Sequence, residues 1–232
     1  MEKIRMLRTV LALLALLLLA PVMFAATLAG HVTDLEGHAY GQTTGEKFRR
    51  LKEGDPVYSG EDIRTIENSN IQLQFLDNSR FSLGAKSRMI IADFKYQHDD
   101  TQNTLQTKIV TGVFRFFSGL IAKKHHRAMT VSMPVATIGI RGTHVVGEVK
   151  GTSASVALLD PEVAGTKTAI EVSNSYGSVV IDQPGYGTEI PDDHSPPSPP
   201  HRVEVNRINN LLRSIQTIRH LTVPRPPPMH MR

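Results

Sequence analysis

The apolar residues of this chain recur in short runs in which every second position is apolar, and turn-forming residues separate one run from the next. This alternation indicates strands with one buried face, and many short strands at close spacing are typical of an all-β domain. A helical repeat of three and four residues becomes clear only after residue 203. The pattern predicts an all-β fold, either a short-stranded sandwich or a β-roll or solenoid, with one C-terminal amphipathic helix.

The sequence MPVATIGIRGTHVVGEV, residues 133–149, forms the clearest pair of predicted strands. Two apolar stretches, 135–140 and 143–149, meet at Arg141 and Gly142, and a glycine can adopt the positive φ that a sharp bend requires. Arg141 is the one permanent charge in an apolar run of about a dozen residues, so we expect it to be buried and to tie both strands to a carboxylate or carbonyl. Arg141→Ala would then cost roughly 2–4 kcal/mol of stability, because that partner would be left unpaired.

The run PVATIGIRGT resembles the signature of the FecR-type domain, the family of the ferric citrate regulator. That family shows a motif of the form T-P-x-A-x-x-x-x-R-G-T near the end of its domain. Met133 stands where threonine is usual. The positions that match, which we interpret as a structural signature, are Pro134, Ala136, Arg141, Gly142 and Thr143.

Three further stretches resemble the same family. LKEGDPVYSGEDIRT is similar to its two glycine-acid steps, NIQLQFLDNSRFSLGAKSRM to its hairpin, and KIVTGVFRFFSG to the strand-glycine-strand segment before the signature. Asn78 stands where glycine is usual in the hairpin turn, and asparagine is the next best residue at positive φ. The resemblance covers roughly residues 51–149, with a weaker opening strand at 30–33, and it implies a FecR-type β domain.

The first 26 residues have the three parts of a secretory signal: a basic start, an unbroken apolar stretch at 10–20, and a proline followed by small residues. The alternative is an uncleaved anchor at 10–28, which is near the lower length limit for spanning a bilayer. Either interpretation predicts that the body of the protein is exported to the periplasm. It would be anchored in the inner membrane if the signal is not cleaved.

The composition divides the chain into five predicted parts: a signal peptide or anchor at 1–26, a FecR-like β domain at 27–190, a Pro-rich linker at 191–202, an amphipathic helix at 203–222, and a disordered tail at 223–232. Three alternatives remain for the helix. It folds back onto the β domain, it pairs with another copy or a partner, or it lies on an anionic membrane surface. Membrane contact is expected only through the signal or anchor, or through this helix.

The composition excludes several chemistries. The chain has no cysteine, so it has no disulfide and no thiolate metal site. Its formal charge is +4 and its isoelectric point about 9.4, but the predicted signal argues against nucleic acid as a partner. The G-x-S-x-G, H-E-x-x-H, P-loop and G-x-G-x-x-G motifs are all absent. We therefore predict no enzyme activity, no catalytic residue, no metal site and no cofactor.

The densest basic run is Lys123, Lys124, His125, His126 and Arg127. We expect it on a loop that leads into the signature. Three interpretations remain open: a solvated connection, a binding loop for phosphate or acidic glycans, or a proton-sensitive site, because histidine titrates near neutrality. The adjacent histidines would point to opposite faces of a strand, so they lack the spacing of metal ligands.

The resemblance also bears on function. FecR-type regulators hold this domain outside the inner membrane and a sigma-factor-binding segment inside, and they relay the state of an outer-membrane receptor. At most nine residues precede the apolar stretch here, so we do not expect sigma regulation to carry over. We predict a non-enzymatic binding module that acts in an envelope-associated or signalling assembly through protein–protein contacts. The alternative is a sensor or scaffold that binds peptidoglycan or another anionic ligand.

Overall fold

The computed structural model describes residues 26–98, 102–124 and 128–215. Nearly all of the predicted signal, the end of the predicted C-terminal helix and the predicted tail lie outside these ranges. The described strands are β1 (Leu28–Glu36), β2 (Ala39–Gln42), β3 (Arg49–Arg50), β4 (Pro56–Tyr58), β5 (Asp62–Thr65), β6 (Asn70–Phe75), β7 (Arg80–Leu83), β8 (Arg88–Lys95), β9 (Thr104–Phe117), β10 (Met129–Ser132), β11 (Thr137–Arg141), β12 (His144–Lys150), β13 (Ser153–Leu159), β14 (Ala169–Asn174), β15 (Gly177–Ile181), β16 (Tyr186–Ile190) and β17 (His201–Arg202). The described helices are α1 (Leu120–Lys124) and α2 (Val205–Ser214). The all-β prediction with a C-terminal helix is confirmed, whereas α1 occupies part of a predicted loop.

The strands form one hydrogen-bonded network with two halves. One half has the order β4-β1-β6-β7-β9-β12-β13-β16-β17. The other half has the order β3-β2-β5-β8-β9-β10-β11-β14-β15. Among the described pairs, β9 with β10 is parallel and the others are antiparallel. Strand β9 belongs to both halves and joins them.

Gly112 marks the point where β9 passes from one half to the other. Thr111 is the last residue of β9 that pairs with β8, and Gly112 is the first that pairs with β12. Gly112 has a φ of 97°, and a Cβ added there would lie 2.1 Å from the hydroxyl oxygen of Ser87. Only glycine fits both conditions. The sequence predicts two strands, at 104–110 and 113–117, and the structure joins them into one.

The two halves face each other across a shared apolar core. The rings of Phe75 in β6 and Phe94 in β8 are 5.6 Å apart between centroids, although these strands belong to different halves. Phe81 lies between Phe75 and Phe116, at centroid distances of 5.5 and 5.4 Å. All of these rings are buried. The alternation predicted for residues 71–75 therefore points its apolar side into this core.

Helix α2 packs on the outer face of the half that contains β12 and β13. Ile215, which follows the helix directly, is buried together with Val146, Ala157 and Leu159. Ile208, Leu211 and Leu212 are partly buried against the same cluster. The described part of the predicted helix thus folds back onto the β domain. None of the described helices is long and apolar enough to cross a membrane.

The Pro-rich segment between β16 and α2 also lies against the β domain. The side-chain amide of Asn174 donates to the carbonyl of Ser195 at 2.8 Å, and the Thr188 hydroxyl donates to the carbonyl of Ser198 at 2.7 Å. The short strand β17 falls inside the stretch that the sequence predicts to be a linker. These bonds hold the segment that leads to α2.

Candidate functional site

An open cleft of about 250 Å³ lies beside the turn between β11 and β12. The end of β9, helix α1, this turn and the loop between β13 and β14 form its walls. The lining residues are Phe117, Ser118, Ala122, Lys123, Arg141, Gly142, Thr143, His144, Pro161, Glu162, Val163, Thr166 and Lys167. Three of the five signature positions and one residue of the predicted basic run therefore meet at one place.

The Arg-Gly-Thr part of the signature forms the turn beside this cleft. Gly142 has a φ of 57°, and a Cβ there would meet open space, so the positive φ explains the glycine. The turn is fixed to the end of β9, because Thr143 N–H donates to the Ser118 hydroxyl at 2.6 Å and Ser118 N–H donates to the Thr143 carbonyl at 2.9 Å. The buried hydroxyl of Thr143 has no hydrogen-bond partner within the described ranges.

Phe117 carries a stack of cationic and aromatic groups at one end of the cleft. The ring of His144 stacks on it with centroids 3.9 Å apart. The guanidinium carbons of Arg80 and Arg115 lie 4.3 and 4.5 Å from its centroid. Guanidinium groups at such distances are attracted by the negative face of the ring. The aromatic residue therefore holds two arginines close together in spite of their repulsion.

The hydrogen bonds of His144 fix its tautomer. Arg115 Nε donates to His144 Nε2 at 2.8 Å, so this ring nitrogen accepts and carries no proton. His144 Nδ1 lies 3.0 Å from the carbonyl oxygen of Asp160, which can only accept, so Nδ1 is the protonated nitrogen. Burial, together with the charges of Arg115 and Arg80, lowers the pKa of His144 to about 4. The imidazole is neutral at pH 7, and both of its nitrogens are engaged.

His144 should make the stability of the protein fall as the pH is lowered. Because its pKa is below the ordinary value of 6.5, the unfolded chain binds more protons at this position between pH 6.5 and about 4. The free energy of unfolding should therefore be fully retained above pH 6.5 and decrease down to about pH 4. The charged groups that face this ring are Arg115 from β9, Arg80 from β7 and Glu162 from the β13–β14 loop.

Urea unfolding between pH 4 and 7 would measure this dependence. The control is His144→Gln, which keeps a polar side chain that does not titrate. We expect the slope of stability against pH to be smaller in the variant, and NMR titration of the wild-type imidazole to give a pKa well below 6.5. An imidazole that titrates at or above 6.5 would contradict the interpretation.

The cleft has an excess of positive charge. Arg115 lies over the lining residue Phe117 and is half-buried, and burial and the charge of Arg80 lower the pKa of Arg115. Lys123, Arg141 and Lys167 are exposed along the lining. Among the described residues, no carboxylate forms an ion pair with any of these four side chains. Glu162 is the only acidic residue in the lining, and it pairs with Arg80.

The structure corrects the prediction for Arg141. The sequence predicts a buried arginine that ties two strands to a partner, whereas the side chain is exposed beside the cleft. The reason is the alternation along β11: Ile138 and Ile140 point into the core, so Arg141 falls on the outward face at the end of the strand. The predicted loss of 2–4 kcal/mol for Arg141→Ala therefore has no basis in the structure.

The other predicted site residues are distributed as follows. Lys123 lines the cleft, Lys124 ends α1, and residues 125–127 lie outside the described ranges. Pro134 and Ala136 lie before β11, at the end opposite Arg141, where Met133 N–H donates to the Ala136 carbonyl at 2.7 Å. Six residues of the site were not predicted: Arg80, Arg115, Phe117, His144, Glu162 and Lys167. They come from distant parts of the chain and share no local motif.

Within the described ranges, one group of three side chains could in principle hold a metal ion: Asp192, Asp193 and His194, on the surface after β16. The Asp192 carboxylate already accepts hydrogen bonds from the backbone N–H of His194 and the hydroxyl of Ser195, and these bonds lower the pKa of Asp192. This is the geometry of an Asp-capped turn. We assign no metal to it.

Comparison with known proteins agrees with the resemblance seen in the sequence. The model of the FecR protein family matches residues 61–179, just over half of the chain and the whole of the cleft. The chain belongs to the FecR family. This family is regulatory rather than catalytic, and membership supports a role in signalling.

Similarity to solved structures is weak, and no curated protein sequence matches. Two crystal structures of a candidate anti-sigma factor from Parabacteroides distasonis share 10% identity with the chain, with TM-scores of 0.49 and 0.48. The matches cover 65% of this chain and 63% and 64% of those chains, less than two thirds of their length. No curated protein sequence matches the chain at significant similarity.

Proposed function

We propose that the protein is an exported, non-enzymatic binding module that acts in an envelope-associated signalling assembly through protein–protein contacts. The family match supports the regulatory part of this proposal. Export rests on the predicted signal in the first 26 residues. One observation carries the docking surface: the family signature forms a turn that presents Arg141 beside an open cleft with an excess of positive charge. A group of exposed cations is suited to recognising a partner by charge complementarity.

The hydrogen bonds in the cleft favour binding over catalysis. General acid–base catalysis needs a titratable side chain whose nitrogen or oxygen atom is free to exchange a proton with the substrate. Both nitrogens of His144 are bonded to protein groups. The Ser118 hydroxyl accepts a hydrogen bond from Thr143 N–H and has no base beside it in the described structure. The cleft side chains therefore favour binding of a charged partner over catalysis.

The experiment is a crosslinked pull-down of the full-length protein from native envelopes, read by mass spectrometry. The test protein carries Arg141→Ala and Lys167→Ala, and the matched control carries Lys47→Ala and Lys52→Ala, two exposed cations outside the cleft lining. We expect the cleft variant to lose its protein partner and the control to keep it. Because these side chains are exposed, each change should alter the free energy of unfolding by less than about 0.5 kcal/mol.

Two outcomes would contradict the proposal. Unchanged capture by the cleft variant would remove the cleft as the docking surface. Recovery of glycan fragments without any protein would favour the alternative function, a sensor or scaffold for peptidoglycan or another anionic glycan. The comparisons give that alternative no support.

A further inference from the structure

We propose that the cleft is a carboxylate-binding site for an acidic peptide segment of the partner, and that Glu162 is a built-in occupant that this segment displaces. The inference rests on the proposed function, because it assigns a chemistry to the same surface. Three features of the structure support it: the two arginines over Phe117, the exposed Arg80–Glu162 ion pair, and the loop that carries Glu162.

The two arginines offer more binding capacity than the protein uses. Arg115 donates a hydrogen bond from Nε to His144 and has no carboxylate partner in the described structure. Arg80 has one, Glu162. A guanidinium group matches a carboxylate through two parallel hydrogen bonds, and such charge-assisted bonds are the stronger ones in proteins. A carboxylate that bonds to both guanidinium groups would also relieve the repulsion between Arg80 and Arg115.

The Glu162 carboxylate can be replaced on Arg80 by another anion at small cost in free energy. The Arg80 and Glu162 side chains are 43% and 55% exposed, and ion pairs with this exposure contribute little to stability. Glu162 lies on the loop between β13 and β14, where residues 162–167 are all exposed. The loop can therefore move away at small cost and leave Arg80 to an incoming anion.

The loop also shows which ligand the site fits. Glu162 lines the cleft and pairs with Arg80, which lies over the lining residue Phe117, so the protein itself already places a peptide carboxylate at this edge of the cleft. The next residue, Val163, is 68% exposed and lines the cleft beside Phe117 and Ala122. An acidic residue followed by an apolar one would place its carboxylate on the arginines and its apolar neighbour on this wall.

A synthetic peptide with the loop sequence DPEVAG, labelled with fluorescein, is the probe for this site. The control peptide is DPQVAG, which is equal in size but lacks the carboxylate at the central position. Fluorescence anisotropy would be measured with the full-length wild-type protein and with the Glu162→Gln and Arg80→Gln variants. The melting temperature of each variant would confirm that it is folded, and inorganic phosphate would serve as a competitor.

We expect the DPEVAG peptide to bind the wild type and to bind Glu162→Gln about two- to fivefold more tightly, because the internal competitor is gone. Arg80→Gln should weaken binding about two- to fivefold, since an exposed charge-assisted pair is lost. The DPQVAG peptide should bind each protein more weakly than DPEVAG. Equal binding of both peptides, no gain in Glu162→Gln, or phosphate that binds as tightly as the peptide would overturn the inference.

This test is separable from the test of the proposed function. If the partner is lost with the Arg141 and Lys167 changes but DPEVAG does not bind, the docking surface stands and the carboxylate chemistry is wrong. If DPEVAG binds as expected but the envelopes yield no protein partner, the site stands and the proposed function is wrong.

Discussion

An Asp77→Ala variant should lose about 3–5 kcal/mol of its free energy of unfolding, because three buried donors would lose their acceptor. Asp77 is fully buried in the turn between β6 and β7. Its carboxylate accepts hydrogen bonds from the backbone N–H of Ser79 at 3.0 Å and from the Ser79 hydroxyl at 2.8 Å. It also accepts from the N–H of Ile121 in α1, at 3.3 Å.

The same turn supports the wall of the cleft. The Asp77 carbonyl accepts from Leu120 N–H at 2.8 Å, and the Ser79 hydroxyl accepts from Gly119 N–H at 2.9 Å. A Cβ at Gly119 would lie 2.2 Å from the Asp77 carbonyl oxygen, so the two segments are in direct contact. Removing the Asp77 carboxylate should therefore also loosen α1 and shift Lys123, which lies on that helix.

Urea unfolding of the wild type, Asp77→Ala and Asp77→Asn would measure this effect. Asparagine keeps one oxygen acceptor, so we expect Asp77→Asn to lose roughly half as much as Asp77→Ala. If Asp77→Ala unfolds within about 1 kcal/mol of the wild type, the turn does not hold α1 as the hydrogen bonds indicate.

The sequence predicts those parts of the fold whose cause is local. The burial of residues 71–75 follows from alternation over a few positions, and Asn78 has the positive φ of 66° that its place in a hairpin turn requires. The Arg141 prediction failed although the necessary signal is local too. Counting from Ile138 and Ile140 by the two-residue period of a strand places Arg141 on the outer face.

The cleft itself could not be predicted because pairing between distant strands creates it. Arg80 and Glu162 are 82 positions apart and meet only because β7 pairs with β9, β9 with β12, and β12 with β13. The hydrophobic periodicity of the sequence does not indicate which distant strands pair with each other. Helix α1 was missed for another reason, because five residues are too few to show a helical repeat.

Gly30→Ala should have the second large effect, a loss of about 3 kcal/mol in the free energy of unfolding through overpacking. Gly30 lies in β1, which is hydrogen-bonded to β4 on one side and β6 on the other. An added Cβ would be 2.2 Å from the carbonyl oxygen of Gln74 and 2.8 Å from the Cα of Phe75. Both atoms belong to the backbone, so relief requires β1 and β6 to separate.

Gly139→Ala is the matched control for this change. It also lies within a strand, but its added Cβ would come no closer than 3.9 Å to any atom outside its neighbours. We expect the control to stay within about 0.5 kcal/mol of the wild type in thermal or urea unfolding.

Comparing the stability of Gly30→Ala with that of Gly139→Ala also tests where the folded unit begins. Gly30 lies outside the stretch matched by the family model, residues 61–179, and in the part of the chain where the sequence resemblance is weakest. Yet β1 packs Val32 into the same core as Phe75 and Phe81. A large loss for Gly30→Ala means that the folded unit starts before the family match, because the core needs β1. Equal stability of both variants would mean that β1 and β6 accommodate the added Cβ, which would contradict the predicted overpacking.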